Sequence, residues 1–165
     1  MAAYSEASKA VFAVFEDMSP VVEGISIDEA FLDVRGMRRI AGEPVEIAER
    51  LRSAVRERVG LPITVGVART KIVAKMAGRA AKPDGLLVVA PSEERAFLHP
   101  LRVEELWGIG PKTARRLHEA DLRTVGQLAQ TSEAALVALN RMLAVRAVCP
   151  TVTHPTLAHP LYAAR

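Results

Sequence analysis

A chain of 165 residues that is 50% apolar and 25% charged is composed like a globular protein, able to bury one core or to divide it between two small modules. Its formal charge of +3 is too small to define a partner, so any electrostatic argument rests on where the charges lie. The lone Cys149 excludes an internal disulfide, the scarce aromatics argue against a face that stacks many bases, and no leader or long apolar run is visible; together these features give a reducing, cytoplasmic reading with no membrane segment.

From Ser5 to Met18, Val11, Val14, Phe15 and Met18 recur at three and four, one face of a helix that Ser19-Pro20 ends. VVEGISIDEAFLDVRG is rich in β-branched and aromatic residues and predicts two strands, roughly 21–27 and 30–34, with Asp28 and Glu29 at the bend. Pro44 suits a first helical turn and Gly60 a stop, so a helix over 44–59 is expected with Ile47, Leu51, Ala54 and Val55 inward. A strand over 63–68, a helix over 70–81, a Lys82-Pro83-Asp84-Gly85 turn and a strand over 86–90 follow. Beyond Pro91 only short helical units appear, beginning near Ser92, Val103, Pro111, Thr124 and Ser132, so a boundary is expected within 91–100. The stretch 146–165, with His-Pro steps and no acid or lysine, reads as an irregular tail.

Three groups of residues could carry chemistry. Asp28 and Glu29 can converge at a hairpin bend and attract hard cations, although an acidic pair at a turn is more often simply solvated, and two carboxylates alone are too few for two-metal chemistry. Between Arg69 and Lys82 there are five basic residues and no acidic one, and Lys71, Lys75 and Arg79 step by four along one helix face. Such a stripe is tolerated when phosphates neutralise it, or is merely a solvated face with Ile72, Val73, Met76 and Ala80 turned inward. In LWGIGPKTARRL, Gly108, Ile109 and Gly110 precede Pro111 and a helix with Lys112, Arg115 and Arg116, a helix-hairpin-helix pattern whose free amides and cations suit a phosphate backbone; Ile109, Leu117, Leu122, Val125 and Leu128 would form its core. His154, His159 and Cys149 match no standard zinc spacing.

SIDEAFLD in its strand-turn-strand setting resembles the second metal-binding motif of Y-family, lesion-bypass DNA polymerases. TVGVARTKIVAKMAGRAAKPDG and the glycine hairpin follow in that family's order, and the likeness runs from about Tyr4 to Leu139. The resemblance implies an α+β fold: a partial ferredoxin-like palm over 1–95, then an all-helical thumb with the helix-hairpin-helix over 96–145, then the tail over 146–165. It implies Mg²⁺ held by catalytic Asp28 and Glu29, the triphosphate contacted by Lys82, and DNA contacted by Lys71, Lys75, Arg79, Gly108, Ile109, Gly110, Lys112 and Arg115. The partners implied are a primer-template duplex, a deoxynucleoside triphosphate and, in the parent enzyme, a sliding clamp. The family's first strand with another metal-binding aspartate, its fingers and its little finger have no counterpart here. The strand over 63–68 is therefore expected to lack its neighbour, and nucleotide transfer by this chain alone to be negligible. Two other readings compete: a non-catalytic module that binds the DNA backbone, and a nucleotidyl cyclase-like palm, which has no use for the hairpin.

Overall fold

The computed structural model describes residues 2–135 and the backbone of 160–164. The remainder of the tail, including Cys149, His154 and His159, lies outside the described residues. The chain forms two compact units, Met1–Pro91 with Leu157–Arg165, and Ser92–Thr156.

In the first unit, helix α1 (Ala2–Met18) leads into the hairpin of β1 (Val22–Ser26) and β2 (Glu29–Asp33), paired antiparallel with Glu23 opposite Phe31 and Ser26 opposite Glu29. A short helix α2 (Arg38–Ala41), for which the sequence carries no periodic signal, precedes α3 (Pro44–Val59). The bounds of α3 are those set by its end signals: Pro44 opens it, Glu43 and Glu46 cap each other reciprocally, and Gly60 closes it at φ +74°. β3 (Thr64–Val67), α4 (Lys71–Ala80) and β4 (Leu86–Val88) complete a strand-helix-strand unit whose two strands run parallel.

Strand alternation sorts the core into two layers. Ala30, Leu32, Val65 and Val67 face one way and pack with Val14, Phe15, Ile47, Leu51 and Val55 of α1 and α3. Gly66 faces the other way, beneath α4, where its missing side chain lets the strand approach the backbone of Ala74 and Gly78. The inward face of α4 is accordingly made of small or slender groups, Val73, Ala74, Met76, Ala77 and Gly78, while Ala80, expected inside, is exposed.

The tail differs from its irregular reading. Pro160–Ala164 is a strand, β5, lying in the middle of a five-stranded sheet of order β1-β2-β5-β3-β4. It pairs antiparallel with both β2 and β3, so β3 has a partner on each side rather than an open edge. Two ladders left open on facing edges outweigh the weak local propensity of a proline-rich segment, and Pro160 occupies the first strand position, where its missing N–H is tolerated.

The second unit holds α5 (Glu94–Leu98), a single 3₁₀ turn (Val103–Glu105), α6 (Pro111–Glu119) and α7 (Val125–Gln130). Thr124 and Gln127 form the capping box that their spacing predicts. Ile109, Leu117, Val125 and Leu128 are buried together with Val103, Leu106 and Ala114, whereas Leu122 is only half-buried. Among the described residues no helix is long and apolar enough to cross a membrane.

Candidate nucleic-acid and phosphate sites

At the hairpin tip Asp28 lies in the turn and Glu29 opens β2. The Asp28 carboxylate accepts from the Ser26 hydroxyl at 2.7 Å and from the Tyr4 hydroxyl of α1 at 3.2 Å. Ser8, one turn further along α1, donates to the Ile27 carbonyl, so α1 braces the turn from its own side. Glu29 is engaged from the opposite side: Lys75 of α4 approaches its carboxylate at 2.5 Å, with the two side chains only 14% and 24% exposed. Adjacent residues thus meet partners from opposite layers, as strand geometry dictates for residues entering a regular ladder.

The same contacts fix how α4 lies along the hairpin. Lys71 pairs with Glu23 and sits 5.4 Å over the ring of Phe31, which is the strand partner of Glu23. One turn later Lys75 meets Glu29, so the helix advances toward the tip. Lys82 lies past the end of α4, exposed at the turn after the helix. Two cations of the stripe are therefore matched by strand carboxylates, which explains how the like charges are tolerated without any phosphate. Arg79 is exposed.

The turn that carries Lys82 is anchored behind it. Arg52 and Arg56 of α3 both engage the Asp84 carboxylate, and Arg52 also donates to the Asp84 carbonyl at 2.7 Å. Hydrogen bonds from Arg52, then from Arg56, hold the Asp84 carboxyl below its ordinary range. At the far end of β2, the Arg35 side chain does the same for Asp33.

Asp28 and Glu29 offer oxygens of the kind Mg²⁺ takes alongside waters and substrate phosphates, and Glu29 already faces an ammonium. Among the described residues no group of three or more His, Cys, Asp or Glu is placed to hold a metal ion.

The Lys75–Glu29 pair is the most enclosed ion pair among those described in the first unit, so its removal has a stated cost. Lys75→Met should destabilise the chain by about 1–2 kcal/mol, because it strands a mostly covered carboxylate, with the exposure of Glu29 limiting the penalty. Adding Glu29→Gln should recover most of that loss in urea unfolding, a coupling of about 1 kcal/mol. Simple additivity of the two changes would show that the pair contributes nothing.

In the second unit the hairpin Leu106–Gly110 delivers α6. Ile109 is buried and its amide bonds the Leu106 carbonyl at 3.1 Å, pinning the loop, while Gly108 at φ +95° makes the turn. Gly108, Gly110, Pro111, Lys112, Arg115 and Arg116 are exposed. Gly110 is the N-cap of α6 and supplies no side-chain cap, so the amides of the first turn are left to the solvent side beside Lys112. Around the back, Glu104 contacts His118 at 3.1 Å and Arg102 at 2.5 Å; its own backbone amide, foremost, holds its carboxyl below the ordinary value. Sequence reasoning did not find this Glu104 cluster, whose members come from two segments, the 3₁₀ turn with its N-cap and α6.

A hairpin bearing an acidic tip, a helix laid along it, and a separate helical unit with an uncapped glycine hairpin match known sequences in the same order. The profile of the impB/mucB/samB family matches residues 1–79, and that of the IMS family HHH motif matches residues 91–122. Among solved structures, the insertion ternary complex of Dbh DNA polymerase superposes with a TM-score of 0.73 at 32% identity, over 82% of this chain and 40% of that one. A DinB from Sulfolobus solfataricus superposes with a TM-score of 0.72 at 31% identity, over 83% and 40%. The chain belongs to the Y-family of DNA polymerases, and its mixed α+β fold matches that family's palm and thumb. Its relatives within that family are DNA polymerase IV proteins. DNA polymerase IV 2 of Mesorhizobium japonicum is 51% identical over 136 residues, 82% of this chain and 33% of that protein. DNA polymerase IV of Treponema denticola is 42% identical over 130 residues, 79% and 33%. The chain therefore spans about a third of the length of the curated relatives it matches. The cyclase-like reading gains no support from these matches, and the HHH motif argues against it.

Proposed function

We propose that this chain is the partial palm and the thumb of a translesion DNA polymerase, and that its own activity is to hold the backbone of duplex DNA. The observation that supports this most directly is the exposed, uncapped start of α6 beside Lys112, carried on a buried Ile109 pin. Free amides and a cation offered together suit one phosphate oxygen after another and read no base. Gly108, Ile109 and Gly110 form the loop that approaches the backbone, and Lys112 and Arg115 supply charge.

In the intact polymerase, which acts in DNA damage tolerance in the cytoplasm, template-directed nucleotidyl transfer uses Mg²⁺. There Asp28 and Glu29 are two of the carboxylate ligands and Lys82 meets the incoming triphosphate. Lys71, Lys75 and Arg79 add positive potential toward the primer-template, Lys71 and Lys75 only in so far as their carboxylate partners are drawn to metal. A sliding clamp is the further partner of the whole enzyme. The second reading, a module that binds the DNA backbone without catalysis, is favoured for this chain by the Lys75–Glu29 pair and the lack of a third nearby ligand among the described residues.

The test is duplex binding by the full chain, followed by fluorescence anisotropy over a range of salt. Engagement of two to four phosphates gives a logarithmic slope of about −2 to −4, the same for unrelated sequences and unchanged by Asp28→Ala. Primer extension with Mg²⁺ is expected to be absent. Binding that ignores salt would overturn the proposed backbone contact. Magnesium-dependent extension that disappears in Asp28→Ala would instead show a working active site in this chain.

A further inference from the structure

β3 is buried at all four of its residues, so its backbone groups cannot turn to water and must be paired on both edges. On one edge β4 provides the pairing, in register from Val65–Leu86 to Val67–Val88. On the other edge the partner comes from far along the chain: Thr64 to Val67 face Ala164 to Leu161. The second edge of the same strand continues the ladder, Glu29 to Asp33 facing Ala164 to Pro160. Take β5 away and β2 and β3 stand two strand spacings apart, roughly 9–10 Å, beyond direct hydrogen bonding. The sheet would then separate into a β1-β2 ribbon and a β3-β4 pair, each with one raw edge. Five residues thus join the two halves of the first unit.

We propose that the gap between β2 and β3 is a strand-acceptor site, filled in cis by residues 160–164. Its ligand is an extended peptide that pairs antiparallel on both edges at once. Backbone pairing of this kind is indifferent to which molecule supplies the strand, so the same segment offered in trans binds the same slot. Proline is acceptable only at the first position, because every later residue donates to one ladder or the other. Occupancy also bears on the hairpin tip, since Ala164 is the strand partner of both Glu29 and Thr64. The inference holds whether or not the polymerase reading does, because it concerns only how the sheet is closed.

Ala163→Pro in the full chain tests it, since Ala163 stands opposite both Ala30 and Val65. Hydrogen exchange of the amides in 29–33 and 64–67 should quicken by about tenfold or more. A synthetic peptide of residues 157–165, in excess, should restore protection; the same peptide carrying proline at 163 should not. Unchanged protection in Ala163→Pro would overturn the proposal, as would failure of the natural peptide to restore it in a folded variant. A second measurement does not depend on that variant folding. Ala30→Cys with Ala163→Cys, in a Cys149→Ser background, places two cysteines directly across the ladder, within disulfide reach. Mild oxidation should give a cross-link at monomer mass. No cross-link, or one only between two molecules, would refute filling in cis.

Discussion

Gly66→Ala is expected to destabilise the first unit by about 3 kcal/mol or more. A Cβ at Gly66 would fall far inside contact with the carbonyl oxygen of Ala74 and the amide of Gly78, and 3.0 Å from the Gly78 Cα. All three are backbone atoms of α4, so no rotamer change relieves the clash and the helix must lift. Lifting α4 also withdraws Val73, Met76 and Ala77 from the sheet and pulls Lys71 and Lys75 from Glu23 and Glu29. Gly24→Ala is the natural control. There the new methyl meets the ring edge of Phe12 at 3.1 Å, a side chain rather than backbone, and the expected cost is below about 1 kcal/mol. Urea unfolding of both variants separates the cases. Equal midpoints for Gly66→Ala and the unmodified chain would mean that strand and helix are not in close backbone contact.

That close contact was open to inspection only in part. The density of β-branched and aromatic residues in VVEGISIDEAFLDVRG predicts the β1-β2 hairpin, because such side chains suit a pleated, half-buried surface. Pro44 and Gly60 bracket α3 because each changes the backbone itself, by a fixed φ or a permitted positive one, whatever surrounds it. The partners of Lys71 and Lys75 were not legible, since Glu23 and Glu29 lie 48 and 46 residues away and no local rule connects them. In a stripe that looks built for phosphate in the sequence, Lys71 and Lys75 are matched by the protein's own carboxylates. β5 was hidden for a related reason: strand propensity describes fit to a half-buried surface, and the fit of 160–164 is decided by two ladders formed far away in the sequence. The glycine hairpin was readable because its signal is local, with turn, pin and helix start all falling within Leu106–Pro111.

The hairpin also permits a prediction in which binding and stability part company. Gly110 has φ −82°, which any residue adopts, and a Cβ there meets nothing within 4 Å, so Gly110→Asp should leave the fold intact. Aspartate is a good N-cap, and its carboxylate accepts from the very amides that Gly110 leaves open, so melting should hold steady or rise slightly. The same carboxylate removes those amides from a phosphate and adds repulsion at the point of contact. Duplex affinity at low salt should fall about tenfold or more, near 1.4 kcal/mol, with the salt slope flatter by about one. Lys112→Glu reverses an exposed charge one turn position away and should flatten the slope by about one to two, again without loss of fold. A structural defect would lower both melting temperature and affinity, whereas competition for the amides lowers affinity alone. If Gly110→Asp binds duplex as tightly as the unmodified chain while folding normally, the start of α6 is not where DNA is held.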